Sequence, residues 1–361
     1  MKKFLLLLVV FSLCVFGYPA LTDFNVDWSF ETGGLNGPIS FGTYNYATNH
    51  FLICDYSATP LGTVLIASGT DATLTGNKLS VTGLNFLAGT LGIFTVCATS
   101  DGVIYGGIAG SNTAGADGNS IARWATESAA PTQQDPAPTF SEMGFPRTMD
   151  AIGTGNNTIL AVSNALTGYD VSILTTTNGT TFAVTDYITG DLADGFKQGV
   201  ALAEGMEKIY GLRADGAGQV IRYDKIGGVW TKNTSPFTPL NSYTAPPAGF
   251  GAACVMGFAK GHNALFVIGN SDAADDYMTL LDGDTGAIII QKQIGKNVST
   301  YGYGCIDLKE TSGVGYFACR GSSGAIMGKI SFAVYVPPTP TPIPSPTPFV
   351  LSVQPGWGLY E

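Results

Sequence analysis

The sequence predicts an all-β fold, a six-bladed β-propeller. Three observations lead there. Short apolar runs recur at a near-constant spacing, each belongs to a set of runs separated by hairpin turns, and no window of helical length keeps a 3.6-residue apolar period. The clearest unit is Gly199 to Thr234. In it Val200-Ala201-Leu202, Lys208-Ile209-Tyr210-Gly211-Leu212, Val220-Ile221-Arg222-Tyr223 and Val229-Trp230-Thr231 are separated by turns rich in Gly and Asp. That pattern is four antiparallel strands of one small sheet.

The second strand of each unit marks the copies. The markers are Phe51-Leu52-Ile53-Cys54, Val103-Ile104-Tyr105, Ile159-Leu160-Ala161-Val162, Ile209-Tyr210, Leu265-Phe266-Val267-Ile268 and Gly315-Tyr316-Phe317-Ala318. Their centres fall about 49 to 57 residues apart, the signature of a repeat architecture. A lone four-stranded sheet leaves two apolar faces in water, so the copies stack radially around a channel. The stretch Leu84 to Ala88 leaves a seventh blade open. Closure supports six. The last unit ends at Ile330-Ser331-Phe332-Ala333-Val334-Tyr335 without an outer strand, and Phe24 to Phe30 near the N-terminus offers one, which would leave no unpaired edge.

Two hairpins carry a resemblance. Thr175-Thr176-Thr177-Asn178-Gly179-Thr180-Thr181-Phe182 resembles a degenerate Asp-box, the S-x-D-x-G-x-T-W hairpin of sialidase-like propellers, with Thr177 where that family has Asp and Phe182 where it has Trp. Leu281-Asp282-Gly283-Asp284-Thr285-Gly286 resembles the repeat hairpin of quinoprotein-type propellers. Both imply a propeller. Neither implies an activity, because fold and function are separable.

Met1-Lys2-Lys3 followed by Phe4 to Phe16 reads as a secretory signal, residues 1–17, with cleavage as late as residue 20. The expected compartment is extracellular or cell-surface, and the short Lys-Lys leader and composition look bacterial. The propeller would then span 18–336. The formal net charge of −10, deeper once Lys2 and Lys3 are removed, argues against nucleic acid or an anionic membrane as partner. Only 12% of residues are charged. A polar but mostly neutral surface suits glycans, other surfaces or copies of the same chain.

Five cysteines follow the leader. Cys305 and Cys319 lie symmetrically about Ser312, the middle of a hairpin, which would set them opposite each other and permit a disulfide after export. Cys54 and Cys97 could link neighbouring blades, and Cys254 is expected to be buried. Sequons at Asn156, Asn178, Asn233 and Asn297 matter little in a bacterial protein.

Catalytic signals are sparse. The two histidines, His50 and His262, fall in first-hairpin turns four blades apart and read as exposed turn residues. No three arginines point at one carboxylate, so no catalytic residue and no cofactor is assigned. Asp282 and Asp284 are weak candidates for a Ca²⁺ site, with Asp275 and Asp276 upstream. The run departs from the D-x-[DN]-x-[DN]-G pattern and is an ordinary hairpin turn. Tyr44, Tyr46, Phe250, Tyr301 and Tyr303 either line one mouth of the channel or pack between blades.

The C-terminal sequence is the sharpest functional clue. Residues 337–348 alternate Pro with Thr, Ile and Ser, a stiff polyproline spacer. At about 3.1 Å per residue it reaches about 35 Å. Residues 349–361 follow, apolar and too short to fold alone. Phe349, Leu351 and Val353 form one alternating row, with Trp357 and Tyr360 as anchors, suited to docking as an added strand. The expected partner is another copy, giving a head-to-tail filament, or a cell-envelope protein, or else the tail stays free or folds back. The leading expectation is a non-enzymatic structural or adhesive protein. A glycan-binding propeller and a sialidase-like, glycoside-active enzyme are the alternatives.

Overall fold

The computed structural model describes residues 20–33, 35, 39–55, 62–86, 92–110, 119–134, 146–164, 170–189, 199–203, 205–212, 220–233, 254–269, 275–298 and 304–336. The leader, the spacer at 337–348 and the tail with Phe349, Leu351, Val353, Trp357 and Tyr360 lie outside them.

Strand β1 (Phe24–Thr32) comes first and belongs to the last blade. Blade 1 is β2 (Ile39–Asn45), β3 (His50–Asp55), β4 (Thr63–Ser68) and β5 (Leu74–Lys78); blade 2 is β6 (Gly92–Ala98), β7 (Ile104–Ala109), β8 (Ser120–Trp124) and β9 (Thr132–Gln134). Blade 3 is β10 (Pro146–Ile152), β11 (Ile159–Asn164), β12 (Val171–Thr176) and β13 (Phe182–Ile188); blade 4 is β14 (Val200–Leu202), β15 (Lys208–Leu212), β16 (Val220–Ile226) and β17 (Val229–Lys232). Blade 5 is β18 (Cys254–Ala259), β19 (Ala264–Gly269), β20 (Tyr277–Asp282) and β21 (Ile288–Gln293); blade 6 is β22 (Gly304–Lys309), β23 (Val314–Arg320) and β24 (Ala325–Phe332), completed by β1. The register of β1 against β24 runs from Phe24↔Phe332 to Thr32↔Ala325, with a bulge between Val26 and Trp28. The ring therefore closes by pairing the first strand with the last, as the sequence implies. Leu84 to Phe86 is not strand, and six blades account for every strand among the described residues.

The first strands β2, β6, β10, β14, β18 and β22 contact one another in a closed ring around the axis. Crowding there selects small residues. A Cβ on Gly257 would lie 2.2 Å from the carbonyl oxygen of Ile306 on the next inner strand. Second strands such as β3, β7 and β19 are near-continuous apolar runs because both their faces are covered. Outer strands alternate instead, as in β13, where Phe182 and Ile188 are buried and Ala183, Asp186 and Tyr187 are not fully covered. Six apolar clusters fill the six gaps between blades, one per gap. The stability of the molecule lives in these gaps, since burial of side chains such as Phe51, Phe266, Phe317 and Trp124 happens there.

The blades alternate in kind. At the centre of the second and third strands, blades 2, 4 and 6 pair Tyr105 with Arg123, Tyr210 with Arg222 and Tyr316 with Lys329. Blades 1, 3 and 5 pair Leu52 with Ile66, Ala161 with Ile173 and Phe266 with Leu280. The even-numbered blades thus share a tyrosine opposite a cationic side chain at this position.

Candidate functional site

One ring position on the inner strands carries the unusual chemistry. The residues there, each opposite the centre of its second strand, are Thr43, Cys97, Asp150, Ala201, Gly257 and Asp307. Blades 3 and 6, on opposite sides of the axis, hold the carboxylates. Each reaches across to the next blade. Asp307 accepts the Tyr44 N–H (2.7 Å) and the Thr43 hydroxyl (3.1 Å). Asp150 accepts the Leu202 N–H (2.7 Å), as well as the N–H of Ala151 (2.8 Å). These are the same stitch made twice, blade 6 to blade 1 and blade 3 to blade 4.

Both carboxyls are half-buried and line a cavity of about 470 Å³ at the mouth where the inner strands end, together with Tyr46, Ser100, Lys260 and Glu310. Burial is the main influence on their protonation. It pushes Asp307 up to about 7 and Asp150 up to about 6, with the donated N–H groups pulling back and the charge of Asp150 adding to the rise at Asp307. Cys305 sits beside Asp307. Its thiol donates to Asp307 Oδ2 (2.9 Å) and to the Gly42 carbonyl (3.0 Å), and burial followed by the Asp307 charge pushes its pKa well up. Such a thiol is a hydrogen-bond donor and not an activated nucleophile.

The disulfide expected from Cys305 and Cys319 is not formed. The register pairs Cys305 with Ala318 and Gly304 with Cys319, one residue off the symmetric pairing. A one-residue offset turns the two side chains to opposite faces of the sheet. Cys305 packs against the gap between blades 1 and 2, and Cys319 is buried between blades 5 and 6. Cys54 and Cys97 are likewise free and buried, with no link between their blades.

The histidines also differ from expectation. His262 is 5% exposed, its ring held edge-on to Phe332 and Tyr335. His50 contacts Glu127 Oε2 through Nδ1 at 2.7 Å, and Glu127 also accepts from Asn45 at 3.1 Å, tying blade 1 to blade 2. Of the aromatic set, Tyr44 is buried and stacks on Tyr316 with centroids 3.6 Å apart. Tyr46 lines the cavity and donates its hydroxyl to the Asp307 carbonyl at 2.7 Å. Phe250, Tyr301 and Tyr303 lie outside the described residues.

The carboxylates of the acidic hairpin of blade 5 are engaged by the chain itself. Asp282 Oδ1 accepts the Asp284 and Thr285 N–H groups (3.1 and 2.7 Å) and the Thr285 hydroxyl, an ordinary Asx turn. Asp284 pairs with Lys208 (2.5 Å) and Asn263 (2.8 Å), which hold it below the usual carboxylate range. Asp276 accepts the Val298 N–H and Asp275 the Gly295 N–H. Arg222 of blade 4 clamps this hairpin, donating to the carbonyls of Gly283 (2.9 Å) and Asp284 (2.7 Å) and pairing with Asp224 (2.9 Å), while Tyr210 donates to Gly283 (2.9 Å). The Asn178 hairpin of blade 3 closes the same way, Asn178 Oδ1 accepting the Thr180 and Thr181 N–H groups.

Among the described residues, hollows open on the rim, one of about 290 Å³ beside Phe24 and Phe332 of blade 6, and two between blades. One, about 380 Å³, runs between β13 and the β16–β17 turn, beside Tyr187, Val229 and Trp230; Trp230 donates to Asp186 (3.0 Å) across it. The other, about 300 Å³, lies between blades 2 and 3 and is lined by Ile121, Arg123, Thr132, Thr180, Thr181 and Phe182, among others.

No family model matches the chain, and neither does any curated protein. Solved structures do resemble it. A DUF4623 family protein from Bacteroides eggerthii superposes with a TM-score of 0.57 at 12% identity, covering 87% of this chain and 77% of that one. The likeness is one of fold. A gluconolactonase from Xanthomonas campestris gives a TM-score of 0.51 at 11% identity, with coverage of 84% and 89%. A luciferin-regenerating enzyme gives 0.48 at 11% identity, with coverage of 85% and 97%.

Proposed function

We propose that this chain is a non-enzymatic building block of an extracellular structural or adhesive assembly, joined by docking its C-terminal tail onto a neighbouring subunit. The observation that carries the reading is the groove between blades 3 and 4. Val229 and Tyr187, at 66% and 45% exposed, line it, and Ile226, at 64%, pairs with Val229 across the β16–β17 turn beside it. With Val334 and Val336, where the chain leaves blade 6, they make five of the seven large apolar side chains exposed among the described residues. The exposed apolar surface is thus concentrated at one groove and at the root of the spacer. An apolar patch in water is a docking surface. The outer edge of β17 carries unpaired backbone groups, and the row Phe349, Leu351 and Val353 has the alternation that an added strand requires.

The channel chemistry fits the same reading. Asp150 and Asp307 are spent on inter-blade stitches and Cys305 is held as a thiol, so the polar cavity they line serves the ring's integrity. The test is a charge placed in the groove. The double substitution I226D/V229D alters two exposed side chains and should leave the fold intact. Sedimentation velocity of the full chain should show an oligomer that dissociates in the variant. An intact chain that is monomeric, or an oligomer indifferent to the substitutions, would overturn the proposal.

A further inference from the structure

We infer that the hollow between blades 2 and 3 is a binding site for a carboxylate-bearing sugar, with Arg123 holding the carboxylate. The argument comes from the internal repeat. Arg123 and Arg222 occupy the same place, each opposite the central tyrosine of its blade. Arg222 is fully employed, donating to two carbonyls of the next blade and to Asp224. Arg123 is not. It donates a hydrogen bond to the Tyr105 hydroxyl, its Nε is buried with no hydrogen bond, and it has no carboxylate partner among the described residues. A guanidinium without an anion, in a chain whose net charge is −10, has its planar fork available to a carboxylate.

The rest of the pocket favours a sugar over a bare anion. The 300 Å³ volume sits at the lower end of small-molecule sites, the size for a single ring. Ile121 and Phe182, each 2% exposed, form an apolar floor. The hydroxyls of Thr132, Thr180 and Thr181 stand around it, and that of Thr181 has no partner among the described residues. The wall is rigid, because Gln134 pairs with the Phe182 backbone in both directions (2.7 and 2.8 Å) and Gln133 is anchored to Ser120 (3.0 Å). A fixed guanidinium beside hydroxyl donors and acceptors over an apolar floor matches the carboxylate, ring hydroxyls and C–H face of a hexuronic acid.

Isothermal titration of the full chain with galacturonic acid, galactose and acetate tests this. Galacturonic acid should bind in the millimolar range, galactose and acetate at least 10-fold more weakly, and added salt should weaken the two carboxylates but not galactose. R123Q should lose at least 10-fold for galacturonic acid. T181V, which keeps the charge and barely touches the fold, should lose a few-fold, so the test survives if R123Q folds poorly. The inference is overturned if galacturonic acid does not bind, if R123Q and T181V bind it unchanged, or if acetate binds as tightly, which would make the pocket a simple anion trap.

Discussion

Replacing Asp307 by Asn should remove a pH-dependent instability that is built into the closure of the ring. The folded carboxyl is raised to about 7 from an ordinary 3.8. A group that binds its proton more tightly when folded stabilises the fold fully below its unfolded pKa and loses that contribution as pH rises through the folded one. The window is therefore about pH 4 to 7, and stability falls across it as pH increases. Three units at about 1.4 kcal/mol each give about 4 kcal/mol as an upper bound. The carboxyl is only half-buried and lines the open cavity, which lowers the expected loss to about 2 to 3 kcal/mol. Asn keeps an oxygen for the Tyr44 N–H but cannot ionise. Urea unfolding followed by tryptophan fluorescence at pH 4, 6 and 8 gives the difference between D307N and the parent, so that groups with lowered pKa values, such as Asp284, cancel. The difference should favour the variant by about 2 to 3 kcal/mol more at pH 8 than at pH 4. A difference that stays flat with pH, or that grows toward acid, would refute the reasoning about burial.

Further outcomes follow from the same structure. D150N should behave alike with a smaller effect and a window ending near pH 6, since Asp150 is raised to about 6. Deleting residues 20–32 should cost more than about 4 kcal/mol, because Leu21 and Phe24 are each 1% exposed and β24 loses its partner; urea unfolding measures it, and an unchanged midpoint would contradict closure by β1. Denatured without reductant, the protein should yield Cys54, Cys97, Cys305 and Cys319 as reactive thiols by peptide mapping, and a Cys305–Cys319 linked peptide would contradict the register.

Much of the fold was legible because a propeller repeats itself. All six marker strands fall within or overlap second strands, and the spare N-terminal strand closes blade 6, since period and alternation are what blade stacking demands. The site was less legible. Cys305 and Cys319 were misjudged by one residue, because a short 3-10 turn at Glu310–Ser312 sets the register and symmetry about Ser312 does not. His262 looked like a turn residue and is buried, because the chain leaving blade 6 lays Tyr335 over that turn. Asp150 and Asp307 carried no local motif. Their kinship is that of equal ring positions in opposite blades, visible only once the strands are paired. A signal for the other site was present: Tyr105, Tyr210 and Tyr316 recur at nearly twice the blade period, and alignment on them would have set Arg123 beside Arg222.

The central claim, assembly through the tail, is tested most directly by comparing the full chain with one ending at Pro348, using size-exclusion chromatography and negative-stain microscopy. The account predicts oligomers or filaments from the longer chain and a single propeller from the shorter. Identical behaviour of the two would contradict it.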